Sequence, residues 1–475
     1  MKILFVIPGE SGHYFKPGQP HAGVAYLASS VSEAGHKAAV LDLRVDGNKD
    51  SWTHLLRDDS FDLVGLTVTS YHYRAQLDLV DRIKSSFPKL TVIIGGPHVT
   101  TVGKDILDHC KADFAVVGEG EDTLQELLDG ENQADILGLV RRNGDQVIIN
   151  DLRPFNTDLD RLPFPSYGLF PISQYLEKKI PIITSRGCPY NCVYCSVKTL
   201  QGRRFRPRSP MNVLAELRHW HDRGFKYFSF NDDCFTVDIP RSETICDLIV
   251  ESELKIKWES RNGIRIDRIT GRLLKKMKAA GCVYIVLGLE SANESNLKMM
   301  RKSIDLKMAE KAFDLVREAG IPFGVTFLIG TPGDSFDHFM DSYRYAREKD
   351  FDEVRFYNTI PYPGTEMFDW IERNGRFLYP PEVYLNDLDR WQNKPVFETG
   401  SFPADEREMA FNLGYDLVIL KLFKKYFGSH LYRIPWFFWK NRLLRKIAYA
   451  PGLRIWAVLR RRSIDKSLNT NEPVE

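Results

Sequence analysis

The stretch PIITSRGCPYNCVYCSVKTLQGRRFRPRSP, residues 181–210, decides how the chain is read. An apolar, β-branched strand from Ile180 to Thr184 ends at Arg186-Gly187. Cys188, Cys192 and Cys195 follow on one short loop at the spacing Cys-x3-Cys-x2-Cys. Thiolates suit iron-sulfur clusters, and the amides of such a loop can donate hydrogen bonds to the sulfurs. Three thiolates hold three corners of a [4Fe-4S] cubane and leave the fourth iron without a protein ligand. The competing readings are a structural zinc and an accidental group of cysteines. A structural zinc wants a fourth ligand nearby, and the next cysteine, Cys234, lies far along the chain in another element. Cys234 reads as a small buried side chain, with a radical-quenching thiol as the weaker alternative.

Downstream of the loop, strands alternate with amphipathic helices through KYFSFNDD, KWESRNG, YIVLGLES, PFGVTFLIGTPG and DEVRFYNTIPYPG. With the strand before the cysteines that makes six βα units over residues 180–375, the pattern of a partial (β/α)6 barrel. Functional side chains of such barrels sit at the C-terminal ends of strands. The polar candidates there are Asn231, Asp232, Asp233, Glu259, Ser260, Arg261, Glu290, Ser291 and Thr331. Each of them can equally cap a helix or satisfy a buried hydrogen bond.

Upstream, residues 1–150 also alternate: KILFVI, KAAVLDL, FDLVGLTVTS, LTVIIGG and DFAVV are strand-like runs separated by helical stretches. The alternation implies a parallel sheet covered on both faces, and five strands wound this way suggest a flavodoxin-like, Rossmann-type domain. Such sheets bind ligands beyond the carboxyl ends of their strands. Those ends carry Thr67, Thr69 and Ser70, then Gly95, Gly96, Pro97 and His98, then Gly118, Glu119, Gly120 and Glu121. Glycines and hydroxyl residues also make tight turns with no ligand at all. Residues 151–179, rich in proline and aspartate and without a sustained period, read as a surface linker.

Taken together, HAGVAYLASSVSEAGH, IIGGPH and VVGEGE, then the three cysteines, then FNDDCFT, WESRNGIRID, GLESANESNLKMMRK, FLIGTPGDS and PYPGTEMFD resemble the radical SAM enzymes that carry an N-terminal cobalamin-binding domain, including the anaerobic porphyrin-ring cyclases and hopanoid-modifying relatives. The resemblance spans residues 1 to about 375. It implies a [4Fe-4S] cluster on Cys188, Cys192 and Cys195, with S-adenosylmethionine on the open iron. Tyr194 would lie against the adenine, Asp232 or Asp233 would hold the methionine amino group, Arg261 would face its carboxylate, and Glu290 the ribose or substrate side. It implies cobalamin against Thr67, Ser70, Gly95, Gly96, Gly118, Glu119 and Gly120. The Asp-x-His-x-x-Gly motif that supplies a lower cobalt ligand in many cobalamin proteins is absent, so no histidine ligand on cobalt is expected.

The activity implied is reductive cleavage of S-adenosylmethionine to a 5'-deoxyadenosyl radical, with C-methylation of an unactivated carbon in a small or lipid-like substrate. Cyclisation, rearrangement or oxidation is the alternative, and a binding protein that has lost turnover a further one. A flavodoxin or ferredoxin would supply electrons.

The bulk numbers fit this reading. The 65 basic and 63 acidic residues nearly cancel, so no whole-chain field points to nucleic acid. Seven cysteines, three of them within eight positions, suit a reducing cytoplasm better than a disulfide framework. No apolar run reaches the roughly 18 to 20 residues that span a bilayer. From about residue 376 to 475 a helical region is expected. Its part from 429 to 462 carries Arg433, Lys440, Arg442, Arg445, Lys446, Arg454, Arg460, Arg461 and Arg462, interleaved with Trp436, Phe437, Phe438, Trp439, Tyr449 and Trp456, and no acidic residue. Basic aromatic helices of this kind bind anionic membrane surfaces, though packing on the barrel is an equal alternative and RNA binding a weaker one.

Overall fold

In the computed structural model, which describes residues 1–9, 17–144, 146–386 and 394–440, the first strand shows why the N-terminal sheet forms. In β1 (Lys2–Ile7), Ile3, Phe5 and Ile7 enter one core while Leu4 and Val6 enter another. The period of two thus buries both faces. β2 (Lys37–Asp42), β3 (Leu63–Thr67), β4 (Thr91–Gly95) and β5 (Phe114–Val116) join it in the parallel order 2-1-3-4-5. This is the flavodoxin-like order. An antiparallel pair not foreseen, β6 (Leu139–Asn143) and β7 (Gln146–Ile149), extends the edge beyond β5.

The second sheet begins at β8 (Ile180–Ile182). The two-residue strands β9 (Ser185–Arg186) and β10 (Arg206–Pro207) pair with each other. β11 (Tyr227–Phe230), β12 (Lys257–Ser260), β13 (Cys282–Glu290), β14 (Phe323–Ile329) and β15 (Glu353–Asn358) then follow. Six parallel strands lie side by side in chain order, 8-11-12-13-14-15, the partial (β/α)6 barrel. The helix Ala404–Leu431 runs along the last strand and protects that edge. Gly414 permits the approach, because a Cβ there would stand 2.8 Å from the ring of Phe356.

One expectation needs correction. The segment 151–179 is not a surface linker. Tyr167, Phe170 and Tyr175 are buried in the core that the first sheet and the barrel share, and Tyr167 donates its hydroxyl proton to Pro181 O at 2.8 Å. Irregular backbone hid this, since three 3-10 turns place apolar side chains inward without any repeat. Among the described residues, the region from 376 is chiefly helical, as expected, and opens on one short strand pair. β16 (Gly375–Phe377) pairs antiparallel with β17 (Phe397–Thr399) before the long helix starts.

The two halves are joined by ions as well. Arg186 and Arg206 stand opposite each other in the β9–β10 pair and close the base of the cysteine loop. Arg186 donates to Glu119 at 2.9 Å and Glu121 at 2.6 Å, and Arg206 donates to both Glu119 oxygens at 2.8 and 2.9 Å. The backbone N–H of Asn156 adds a 2.8 Å hydrogen bond to Glu119. Burial alone would raise the Glu119 carboxyl, but Arg186, Arg206 and the Asn156 amide together hold the group below the usual carboxylate range.

Removing one member of such a buried set leaves its partners uncompensated. Glu119→Ala is expected to cost about 3–5 kcal/mol, seen as a lower urea midpoint, and the doubly neutral Glu119→Gln/Arg206→Met variant should recover part of that loss. Tyr167→Ala is expected to cost about 3–5 kcal/mol by the same measurement, as a large buried aromatic does. A true linker residue would cost almost nothing.

Candidate functional site

The cysteine loop leaves β9 through Gly187, whose φ of +80° suits glycine and whose Cβ would stand 2.3 Å from Arg204 O. Cys188, Cys192 and Cys195 are free thiols, half buried, on the wall of a cavity of about 420 Å3 at the C-terminal end of the barrel. Among the described residues no three histidine, cysteine or carboxylate side chains converge as a cage for one ion. A cubane asks something different, one thiolate for each of three irons. The adjoining Cys234 thiol lowers Cys188 below the usual thiol range, while burial pushes Cys195 up to about 11. A buried thiol of that kind ionises when a metal takes it as a ligand. The donor set therefore fits the cluster.

Around the thiols, the candidates divide. Tyr194, Asp233, Arg261 and Glu290 line the cavity. Asp232 does not. It is buried and accepts hydrogen bonds from Thr184 N at 2.6 Å, Thr184 Oγ1 at 2.5 Å and Ser185 Oγ at 2.7 Å, so it pins the strand that launches the loop. Asp233 accepts from Gly187 N at 3.0 Å, and burial raises its carboxyl to about 6. Arg261 lies over the Tyr284 ring and donates to Glu259 at 2.8 Å. Glu290 sits at φ +71°, a left-handed conformation for a non-glycine residue. Gly288 makes room for it, since a Cβ there would be 2.3 Å from Glu290 Oε1.

Two cavity residues escaped the sequence reading. Lys302 donates to Glu290 at 3.0 Å and to the Tyr194 hydroxyl at 3.3 Å. Arg265 points Nη1 at Cys192 Sγ, 3.9 Å away, lies 3.5 Å from the Tyr190 ring centre, and is tied to Asp267 and to Lys302 O. Arg265 stands in the strand-end stretch NGIRID and could have been flagged there. Lys302 follows a helix and has no such signal.

A second cavity, of about 380 Å3, lies between the first sheet and the barrel. Thr67, Gly95, Gly96, Gly118, Glu119 and Gly120 are on its wall. Ser70 is not, because its hydroxyl faces His98 Nδ1 at 3.3 Å. His98 is likewise off the wall, buried and stacked on Tyr73 at 4.2 Å, and burial lowers it to about 4. Glu119 lines the cavity, but both of its oxygens are held by the arginines described above. His21, unforeseen, is on the wall. Its Nδ1 accepts from Val24 N at 3.2 Å, which leaves Nε2 as an N–H and not as a lone pair for a metal. Bare glycine backbone over an apolar floor of Phe5, Val24, Ile93 and Val116 suits a broad ring with polar edges. Asp233 and Val197 line both cavities, so the two adjoin.

Comparison with known proteins matches the two halves of the fold to two family models. Residues 182–346 match the model of the radical SAM superfamily and residues 15–128 that of the B12 binding domain. An uncharacterized methyltransferase of Pyrococcus horikoshii is 32% identical over 446 residues, covering 90% of this chain and 95% of its own. The anaerobic magnesium-protoporphyrin IX monomethyl ester cyclase of Rubrivivax gelatinosus is 26% identical over 394 residues, 78% and 69% of the two chains. Among solved structures, the radical S-adenosylmethionine methyltransferase TsrM of Kitasatospora setae, with cobalamin and a [4Fe-4S] cluster bound, shares the fold at a TM-score of 0.65 and 19% identity, over 78% of this chain and 74% of that one. With its cysteine loop on a partial barrel and a B12-type sheet packed ahead of it, the chain belongs to the radical SAM enzymes that carry a B12-binding domain.

Proposed function

We propose that the chain is a cobalamin-dependent C-methyltransferase acting on an unactivated carbon of a small or lipid-like substrate. The observation that carries the reading is the shared wall. Asp233 and Val197 bound both the thiol cavity and the glycine-lined cavity, so a substrate at that junction would meet both cofactors. When bound, the cluster with S-adenosylmethionine supplies a 5'-deoxyadenosyl radical, and cobalamin supplies a transferable methyl group. The likeness to the Pyrococcus methyltransferase supports methyl transfer over cyclisation, and the weaker likeness to the porphyrin-ring cyclase keeps cyclisation as the second reading.

In this proposal Cys188, Cys192 and Cys195 hold three irons. Asp233, rather than Asp232, receives the methionine amino group, because only Asp233 reaches the cavity. Arg261 faces the carboxylate, Tyr194 the adenine and Glu290 the ribose or substrate side. Lys302 orients the last two, since its ammonium bonds both. Arg265 places a cation beside Cys192 and would donate to its sulfur. A flavodoxin or ferredoxin would deliver the electron.

Anaerobic reconstitution with iron and sulfide tests the cluster. Any Cys→Ala change at 188, 192 or 195 should abolish the reduced-cluster electron paramagnetic resonance signal. Asp233→Asn should retain that signal yet weaken S-adenosylmethionine binding roughly tenfold or more, the scale of one charge-assisted hydrogen bond. Asp232→Asn should chiefly lower stability. Failure to form 5'-deoxyadenosine with the cluster confirmed would refute the radical reading. Absence of corrinoid absorption bands in folded protein supplied with cobalamin would refute methyl transfer alone.

A further inference from the structure

Between Asp416 and Asp465 the sequence holds twelve lysines and arginines and no aspartate or glutamate, in a chain whose formal net charge is only +2. The remaining residues thus carry a net charge of −10, and the positive charge is concentrated at one end. The part of this segment within the described residues, up to Lys440, has a defined shape. Residues 441–462, with most of the arginines, lie outside the described residues, and only their composition enters here.

The helix Ala404–Leu431 breaks its dihedral pattern at Gly428, with φ +73° and ψ 176°, and the helix Arg433–Lys440 then folds back against it. Trp439 fixes the return. Its Nε1 donates to Asp416 Oδ1 at 2.9 Å and its ring packs against Tyr415 and Phe423, while Lys440 reaches Asp416 Oδ2 at 2.8 Å. With Trp439 turned inward, Leu431, Ile434 and Phe437 recur every third residue and are 62%, 61% and 65% exposed. Lys424, Lys425, Arg433 and Lys440, from the same two helices, are exposed as well. Apolar residues this exposed, accompanied by cations, belong at a boundary between water and an apolar phase. Among the described residues no helix is long and apolar enough to cross a membrane.

We propose that the turn and helix spanning residues 424–440 dock the enzyme on the headgroup layer of an anionic bilayer. Leu431, Ile434 and Phe437 enter the acyl boundary, and the flanking lysines and arginines meet lipid phosphates and carboxylates. A nucleic acid would use the same cations but gains nothing from exposed leucine and isoleucine. None of these residues is on the wall of either cavity, so the surface is independent of which reaction the site performs.

The test is co-sedimentation of the full-length protein with phosphatidylcholine vesicles, with and without about 30% phosphatidylserine. The charged vesicles should bind at least roughly tenfold more strongly, with an advantage that shrinks as salt rises. The variant Leu431→Gln/Ile434→Gln/Phe437→Gln keeps every charge, and it should lose roughly tenfold in vesicle partition while its urea midpoint and 5'-deoxyadenosine formation stay at the parent values. Equal sedimentation of parent and variant would overturn the proposal, as would equal binding to neutral and charged vesicles. Binding of parent and variant alike to a double-stranded RNA, without binding to vesicles, would assign the charge to a nucleic acid and also overturn it.

Discussion

Two arginines at the base of one loop hold this structure's functional parts in place. Arg186 and Arg206 bracket the nineteen residues that carry the cysteines, and both end on Glu119, in the turn that follows the fifth strand of the other sheet. Ion pairs buried this deeply gain little net stability over well-packed apolar side chains, because desolvation cancels most of the attraction. What they confer is geometry: a carboxylate accepting from two guanidiniums and an amide has very few allowed positions. The loop of one cofactor site and the turn of the other are thereby held at a single separation. Asn156 enters the same set through its N–H and, by way of Arg206, its carbonyl. That explains why residues 151–179 are folded in rather than left as a tether.

The barrel applies a similar economy inside. Outward-facing Trp258 stacks on Phe230 at 4.4 Å and packs against the covering helices, an ordinary apolar layer. The inner face carries a chain of charges instead. Lys179 bonds Glu177 and Glu259, Glu259 accepts from Arg261 and from the Tyr227 hydroxyl, and Glu353 accepts from Arg355 and Tyr284. Burial would raise the Glu259 carboxyl, yet Lys179 and Arg261 hold it at about 2, so it stays ionised. A closed barrel fills its interior with branched aliphatic layers. In this partial barrel the ion chain takes that place and orients Arg261 at the cavity wall. Glu290 and Lys302 repeat the device next to the thiols, at the cost of one strained backbone position.

Much of this was legible without coordinates. Hydrophobic period predicted both parallel sheets and the six βα units, since a strand buried on two faces must read as a continuous apolar run. Spacing alone brought Cys188, Cys192 and Cys195 onto one loop, and three thiols within eight residues cannot avoid sharing a site. The glycines at 95, 96, 118 and 120 likewise marked a wall where backbone is left bare. Local sequence was silent where irregular backbone or distant partners decided the outcome. The buried Tyr167 and Tyr175 follow no period, and β17 lies 20 residues beyond the strand it pairs with.

The division between Asp232 and Asp233 shows where the sequence ends. Both are acidic, adjacent and at the end of the same strand, but successive side chains leave a strand on opposite sides, and only the surroundings say which side is which. Thr184 and Ser185 claim Asp232 from another strand, and Asp233 is left to face the two cavities. Glu119 was read as a cofactor contact for its place in a glycine turn, and two arginines 67 and 87 residues away made it the joint between domains. By itself, the sequence determined the chemistry available here: three thiolates on a loop, glycine-edged strands, and a basic end. Which acid faces the cavity, which cation faces the thiols and how the two sites adjoin were decided only by tertiary structure, because each depends on side chains brought together from far apart in the chain.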